Sequence, residues 1–244
     1  MKSEATTIDV VDEFIAHVEN RLGTPSSWSF PGGYPDSLAL CVIDSIQSIG
    51  VRYGSVQKVV ERYRAYRDAD ADTDSLDDLR RVFAELGGVA EWTRTVGNRH
   101  KTSTAARASL KAEVILRAAT RLPLLGVTTT EDLRSAPAPK VHDVKAVWLA
   151  LPGQKSGISW RYLLMLAGVP GVKPDRMIRR FVEDSSVPVA PWMSAGEVAE
   201  LVEEAARRLR VSASALDHAI WLHQSGRKAS KPLDRPDNVP AALA

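Results

Sequence analysis

One aspartate stands where a carboxylate could act as a fixed negative charge or as a proton acceptor in catalysis. Asp175 follows Pro174 and precedes the basic stretch RMIRRFV at 176–182. At the start of a helix, its side chain can accept hydrogen bonds from free backbone amides, which also favour the ionised carboxylate. Glycosidic cleavage passes through an oxocarbenium-like sugar, whose charge a fixed carboxylate can stabilise while it orients the attacking water. The position therefore suits a helix cap and a catalyst at once.

The stretch before this aspartate has a recognisable order of turns and helices. From Leu151 to Asp175 it reads LPGQKSGISWRYLLMLAGVPGVKPD, with a Leu-Pro-Gly turn, an apolar helix and a break at Gly168 and Pro170. This order resembles, without a gap, the helix-hairpin-helix DNA glycosylase superfamily, which contains endonuclease III and adenine-mismatch glycosylases. The resemblance implies that Asp175 is the catalytic aspartate of a DNA base-excising enzyme.

Two further segments resemble the same family, and with the first they cover residues 36–182. The segment LALCVIDSIQSIG resembles its early apolar helix and puts Gln47 where the family's glutamine contacts DNA and fills the gap left by an extruded base. The segment ASLKAEVIL resembles its Lys-Ala-Glu helix and puts Lys111 among the DNA-binding residues. Tyr53, just past the end of the first helix, is a candidate wall of the base pocket. The resemblance implies an all-α, two-lobed helix-hairpin-helix DNA glycosylase fold.

The hairpin departs from the family pattern in two places. The usual Gly-x-Gly, which lets backbone amides approach a phosphate, is replaced by Gly153-Gln154-Lys155, with Gly157 two residues later. We expect these four residues to bind DNA, with Lys155 as a cation. Gly157 aligns with the position of the nucleophilic lysine in bifunctional members. The resemblance therefore implies a monofunctional glycosylase, in which water attacks and no lyase step follows.

Charge is unevenly distributed along a chain whose formal net charge is only +2. Residues 68–78 contain six aspartates and no basic residue, whereas residues 94–121 contain seven Lys or Arg and a single acid. Such segregation allows one basic face that a phosphate backbone could occupy. Within the basic stretch, Arg99 and Lys101 are candidate DNA contacts.

Several other classes of protein are disfavoured by composition. Cys41 is the only cysteine and has apolar neighbours, which excludes a disulfide framework or a cysteine-held iron–sulfur cluster and predicts a buried thiol. The histidines have no metal-ligand spacing, so neither metal nor cofactor is expected. No apolar run is long enough for a membrane span, and the N-terminus lacks the pattern of a signal peptide. We expect a cytoplasmic monomer without a membrane partner.

Helical periodicity dominates the chain and suggests four regions. Residues 1–35 form an N-terminal helix and a loop that pack with the C-terminal lobe, and residues 36–124 form a six-helix core lobe. Residues 125–226 carry the hairpin, the catalytic aspartate and the C-terminal helices, starting with a crossover at 125–140 that is rich in Thr and Pro. Residues 227–244 are polar and Pro-rich, and we expect a disordered tail.

The leading hypothesis is a monofunctional DNA N-glycosylase that acts on double-stranded DNA carrying a damaged or modified base. Alkylated purines, deaminated or mismatched bases and hypermodified phage bases all remain open, and with them the choice between DNA repair and antiviral defence. A second hypothesis is a non-catalytic helix-hairpin-helix DNA-binding protein, because the hairpin is altered. A third is a helical interaction protein without a role on nucleic acid.

Overall fold

The computed structural model describes residues 9–187 and 190–226 of the 244-residue chain. These residues form α-helices and short 3-10 turns but no β-strand, which confirms the prediction of an all-α protein. The twelve α-helices are α1 (Val10–Leu22), α2 (Leu38–Gln47), α3 (Tyr53–Arg67), α4 (Leu76–Glu85), α5 (Val89–Thr95), α6 (Lys111–Arg121), α7 (Thr130–Arg134), α8 (Ala138–Leu149), α9 (Ile158–Leu166), α10 (Arg176–Glu183), α11 (Ala195–Arg208) and α12 (Ala213–Ser225). None of the helices described is long and apolar enough to span a membrane. The tail predicted at 227–244 lies outside the described residues.

The first core is built around α2, a helix that is buried along its whole length. Ser37 begins the helix by accepting a hydrogen bond from the N–H of Leu40 at 3.2 Å, and every residue from Leu38 to Gln47 is buried. A helix that is apolar on nearly all sides must be enclosed by other elements. Helices α3 to α9 supply this enclosure, and their apolar side chains form one cluster with α2. Cys41 lies within it, buried as predicted.

The second core combines the two ends of the described chain. Phe14 and Val18 of α1 pack with the apolar faces of α10, α11 and α12. The chain therefore starts in the second core, builds the first core, and returns to the second through residues 168–172. This division differs from the predicted boundary at residue 124, because α8 and α9 bury their apolar side chains in the first core.

Two short helices were not anticipated from the sequence. Helix α5 has only seven residues, between Gly88 and Gly97, which leaves too few positions for a periodic signal. Helix α7 lies in the segment predicted as a crossover. It begins with a capping box, in which the Thr129 side chain and the Asp132 side chain each bond the other's backbone N–H. The capping pair outweighs the Thr- and Pro-rich composition that suggested a loop.

Candidate functional site

A cavity of about 710 Å³ lies where the two cores meet. Four segments form its wall: the turn between α2 and α3 at 48–53, the hairpin and the start of α9 at 153–159, the residues at 173–177, and the end of α12 at 221–225. The first two segments belong to the first core and the last two to the second. We call this space the junction cavity. Its volume falls in the range of small-molecule sites, so it is large enough for a nucleoside.

Asp175 lies in the wall of the junction cavity as the N-cap of α10. Its Oδ1 accepts a hydrogen bond from the N–H of Met177 at 2.8 Å. Its Oδ2 accepts none from the residues that the structure describes. The amides and the dipole at the start of a helix favour a negative charge at this position. One carboxylate oxygen is therefore fixed, and the other is available to a molecule in the cavity.

Two aromatic rings line the same cavity. Tyr53, proposed from the sequence, lies in the wall with its ring edge-to-face against Trp221 at a centroid distance of 6.0 Å. Trp221 in turn stacks on His218 at 5.8 Å. Sequence reasoning missed Trp221, although it lies one helical turn after Asp217 on the face of α12 that meets the cavity. Paired aromatic walls of this kind suit the stacking of a planar base.

A cluster of buried polar groups lies behind the cavity wall. The Asp44 carboxylate is fully buried, and its Oδ2 accepts hydrogen bonds from the hydroxyls of Tyr34 at 2.9 Å and Tyr53 at 3.2 Å. The Lys173 ammonium lies 3.6 Å above the ring of Tyr162. Burial raises the pKa of Asp44, and the charge of Lys173 opposes that rise. The cluster joins α2, α3 and α9 to the segment that carries Asp175.

Asp217 ties this segment to α12. Its Oδ1 accepts a hydrogen bond from the backbone N–H of Lys173 at 2.8 Å, and its side chain is buried. Burial raises the pKa of Asp217 to about 8, with the nearby charge of Asp175 adding to the rise. The folded protein therefore holds a proton here that the unfolded chain releases near pH 4.

The pH dependence of stability should reveal this proton. Because the native state binds more protons than the unfolded state, the free energy of unfolding falls as pH rises from about 4 to about 8.

The substitution Asp217→Asn keeps a side-chain acceptor for the N–H of Lys173 but removes the group that ionises. We expect the melting temperature of this variant to exceed that of the wild type by a margin that widens between pH 5 and pH 8. A widening of about 1 kcal/mol corresponds to about 2–4 °C. Asp36→Asn, at an exposed position, is the control, and a constant margin in both variants would contradict the prediction.

The turn after α2 is held by Lys111, which is only 1% exposed. Its ammonium donates hydrogen bonds to the carbonyl oxygens of Gln47 at 2.8 Å and Ile49 at 2.6 Å. Burial, aided by the charge of Lys173, lowers the pKa of Lys111 to about 8. Since the ammonium is directed at backbone carbonyls inside the protein, this placement does not support the predicted direct contact with DNA. Lys111 instead fixes the shape of the turn at 48–52.

Gln47 is also enclosed, at 0% exposure. Its Oε1 accepts a hydrogen bond from Asn98 Nδ2 at 3.1 Å. In this arrangement the side chain does not reach the cavity or the surface, contrary to the predicted role of filling a duplex gap. The reason is that Gln47 is still the last residue of the fully buried helix α2. The neighbouring residues Ile49, Gly50 and Val51 form the wall on that side.

The hairpin at 150–157 lies directly against the basic loop at 98–107. Gly153 has a φ of +79°, and a Cβ added there would lie 2.7 Å from Cβ of Thr102. The hairpin backbone therefore approaches the loop more closely than any other residue type would allow. Residues 49–51 and 100–104 enclose a second, smaller cavity of about 370 Å³ beside this contact. Hairpin, basic loop and turn thus form one continuous surface around the mouth of the junction cavity.

The remaining hairpin positions differ in exposure. Gln154 is fully buried, donates from Nε2 to the carbonyl of Pro152 at 3.0 Å and accepts from Ser159 Oγ at 2.5 Å, so it closes the hairpin rather than contacting DNA. Lys155 is exposed. Gly157 caps α9 with a φ of +75° and is not part of the cavity wall.

Alanine at position 153 should separate the hairpin from the basic loop. A non-glycine residue at positive φ costs about 1–2 kcal/mol, and in Gly153→Ala the close approach to Thr102 adds to this cost. Gly23→Ala is a matched control, because Gly23 has a φ of +72° and open space at its Cβ. We expect Gly153→Ala to lose more thermal stability than Gly23→Ala, measured as the fall in melting temperature. Equal losses in the two variants would contradict this.

Unpaired cations gather at the mouth of the cavity. Arg52, Arg99, Lys155 and Arg176 are exposed and form no ion pair with any residue that the structure describes. Lys101 is also exposed, and its ammonium donates to the carbonyl of Ala106 at 3.0 Å. Most arginines elsewhere are neutralised by a carboxylate. Examples are Arg64 with Asp72, Arg80 with Asp77, Arg94 with Glu91 and Arg117 with Glu113. Arg52 and Arg176 line the junction cavity, so two of these unpaired charges border it directly, while other exposed cations without an ion pair, such as Lys58, Arg107 and Arg180, lie elsewhere.

Comparison with known proteins gives a family but no activity. Residues 12–225 match the family model described as "Domain of unknown function (DUF8548)", and the chain belongs to that family. Neither the comparison with curated proteins nor the comparison with solved structures found a match.

Proposed function

We propose that this member of the DUF8548 family is a helix-hairpin-helix DNA glycosylase that hydrolyses the N-glycosidic bond of a damaged or modified base. The observation that carries the proposal is the position of Asp175: a helix-capping carboxylate in the wall of a nucleoside-sized cavity, beneath a rim of unpaired cations. An aspartate that served only as a helix cap would have no need to face a cavity or to lie beneath a rim of unpaired cations. The order of hairpin, apolar helix and aspartate in the sequence supports the same assignment.

The cavity has the features that an extruded base requires. An enzyme that acts on a base in duplex DNA must first rotate the nucleotide out of the stack, at a cost of a few kcal/mol. Tyr53 offers a ring against which the extruded base can pack, and Trp221 lies edge-to-face with that ring in the same wall. The turn at 49–51, in which Gly50 is exposed and its two neighbours are half-buried, is the part of the wall that can contact the duplex where the base has left.

Asp175 would act on the sugar. As the bond between C1′ and the base nitrogen lengthens, positive charge develops on the sugar ring, and the fixed carboxylate stabilises that charge. The oxygen of a water molecule then bonds to C1′, and Asp175 accepts the water's proton. We propose water as the nucleophile because Gly157 stands where the bifunctional members of the family carry their lysine.

The rim would hold the DNA backbone. Exposed cations without carboxylate partners are free to neutralise phosphates, and they release condensed counterions when they do so. Arg52 and Arg176 border the junction cavity, Lys155 lies in the hairpin and Arg99 lies in the basic loop. Binding at these positions would fix the duplex over the cavity without reading its sequence.

Base release from defined duplexes tests the proposal. Wild-type protein is incubated with duplexes that each carry one uracil, hypoxanthine, 7-methylguanine or 5-hydroxymethylcytosine, the last with and without attached glucose. We expect alkali-dependent strand breaks at the position of one class of base, with no break before alkali. Salt-sensitive binding without release from any duplex would favour the non-catalytic DNA-binding hypothesis. If the protein neither binds any of these duplexes nor releases a base from them, a role on DNA is excluded.

A further inference from the structure

Lys173 shares the cavity with Asp175 but has no part in the activity proposed so far. The two residues are separated only by Pro174, which is buried, whereas both of them line the junction cavity. The backbone N–H of Lys173 is bonded to Asp217 at 2.8 Å, which fixes the segment from behind. A cation and an anion are thus presented to the same space from one short stretch of chain.

The Lys173 ammonium is held in place without being neutralised at close range. It donates to Ser48 Oγ at 3.2 Å and lies 3.6 Å from the centre of the Tyr162 ring, which favours the charged form. It forms no ion pair with any carboxylate in the described part of the chain. An ammonium has three N–H donors, and the described hydrogen bonds use one of them.

Nearby carboxylates stabilise the charge of the ammonium against the cost of burial. Burial is the larger effect and lowers the pKa of Lys173, and the charges of Asp175 and Asp44 oppose this. Ser48 itself lines the junction cavity. The ammonium is therefore a positioned donor in a residue that lines the cavity, and it is held over an aromatic ring.

We propose that the Lys173 ammonium binds the carbonyl edge of the extruded base and stabilises the negative charge that the base acquires as it leaves. This inference rests on the proposed glycosylase function and names its substrate class: a base that is neutral in DNA and leaves as an anion. A base that is already cationic, such as 7-methylguanine, leaves as a neutral molecule and would be repelled by a fixed ammonium. Lys173 would then be a catalytic residue that acts on the base, while Asp175 acts on the sugar.

The step balances in atoms and charge. The C1′–N bond breaks, and its electron pair stays with the base nitrogen. The water oxygen bonds to C1′ and passes one proton to Asp175, while the base anion takes one proton from Lys173. Proton return from the Asp175 carboxyl to the Lys173 amine through water restores both groups, and the net products are the free base and an abasic sugar.

The first arm of the test needs no variant. Single-turnover release by the wild type is compared between the cationic base 7-methylguanine and a neutral series of 5-fluorouracil, uracil and thymine, whose anions are progressively more basic. We expect release of neutral bases and little or none of 7-methylguanine. Preferential release of 7-methylguanine would overturn the inference while leaving the glycosylase proposal intact. Release from no duplex in either set would count against the glycosylase proposal itself.

The second arm separates a catalytic role from a structural one. Lys173→Met keeps an unbranched side chain and removes the charge, and Lys173→Arg keeps the charge. We expect Lys173→Met to slow release by about 10²–10³-fold, in line with the loss of one donor to a developing anion. The loss should be larger for thymine than for 5-fluorouracil and should be partly restored in Lys173→Arg. An equal loss for all bases would indicate a structural role and overturn the inference.

The same samples distinguish a donor from a nucleophile. If Lys173 attacked C1′ itself, borohydride would trap a covalent adduct between the wild type and a duplex with an abasic site, and Lys173→Met would abolish that adduct. We expect no such adduct, and trapping that depends on Lys173 would overturn the assignment. Lys145→Met, at an exposed position on α8, is the control for loss of a lysine charge and should leave every rate unchanged.

Discussion

Asp175→Asn is expected to slow base release by about 10²–10⁴-fold, the range for loss of a positioned proton acceptor, while DNA binding and folding are retained. Asparagine caps a helix about as well as aspartate, so the hydrogen bond from the N–H of Met177 can persist. What is lost is the negative charge facing the developing oxocarbenium and the ability to take the proton of water. The measurement is single-turnover release from whichever duplex the wild type cleaves, with the Kd for the same duplex measured in parallel.

A matched control exists at the other end of the described chain. Asp9 caps α1 in the same way, with its Oδ1 accepting from the N–H of Val11 at 2.9 Å. Asp9→Asn should therefore impose the same change of cap without touching the cavity, and it also removes the ion pair between Asp9 Oδ2 and Arg208 at 2.8 Å, so any stability lost with that pair must be measured in Arg208→Gln and subtracted. If both variants keep the release rate of the wild type, Asp175 is a cap alone. If both lose stability and activity together, the effect comes from helix capping.

Removal of the four unpaired cations at the cavity mouth should produce the second large effect. In the variant with glutamine at Arg52, Arg99, Lys155 and Arg176, each position loses a potential phosphate contact. Each such contact contributes roughly 0.9 to the slope of log Kd against log salt concentration, so the slope should flatten by about 3 to 4. The fold should be unaffected, because surface substitutions of this kind change stability little. The slope is obtained by measuring the Kd of one duplex at salt concentrations between about 50 and 200 mM, a range over which phosphate contacts change the affinity strongly.

The control removes the same amount of charge from paired arginines. It carries glutamine at Arg64, Arg80, Arg94 and Arg117, whose charges are already balanced by carboxylates. Its net charge equals that of the test variant, so a general change in attraction to DNA affects both alike. A flattened slope in the test variant alone locates the phosphate contacts at the cavity mouth. Equal slopes in the two variants would place the DNA elsewhere.

The sequence was most informative where a feature depends only on neighbouring residues in the chain. Asp175 could be singled out because a helix-opening aspartate after a Gly- and Pro-rich break is visible in one stretch of chain. The all-helical class followed from apolar periodicity, and the turn at Gly153 followed from the Leu-Pro-Gly sequence. Each of these signals is contained within a few consecutive residues.

The residues whose surroundings the sequence did not reveal depend on tertiary packing. Gln47 and Lys111 have polar side chains that a sequence suggests are exposed, yet the first core encloses both and uses them to hold one turn. Lys173 and Trp221 reach the cavity only because the second core closes against the first. No spacing along the chain reports this, since the two residues lie on different elements.

The order in which the chain visits the two cores has a consequence for its synthesis. Helix α1 is made first, but its partners α11 and α12 are made last. Until these helices are synthesised, Phe14 and Val18 lack the apolar side chains against which they pack in the folded protein, whereas the first core can already form. Asp175 acquires its final surroundings only when α12 arrives. A chain that stops short of α12 would carry the complete hairpin and basic loop around an unfinished cavity; under the proposed function it would hold DNA without acting on it.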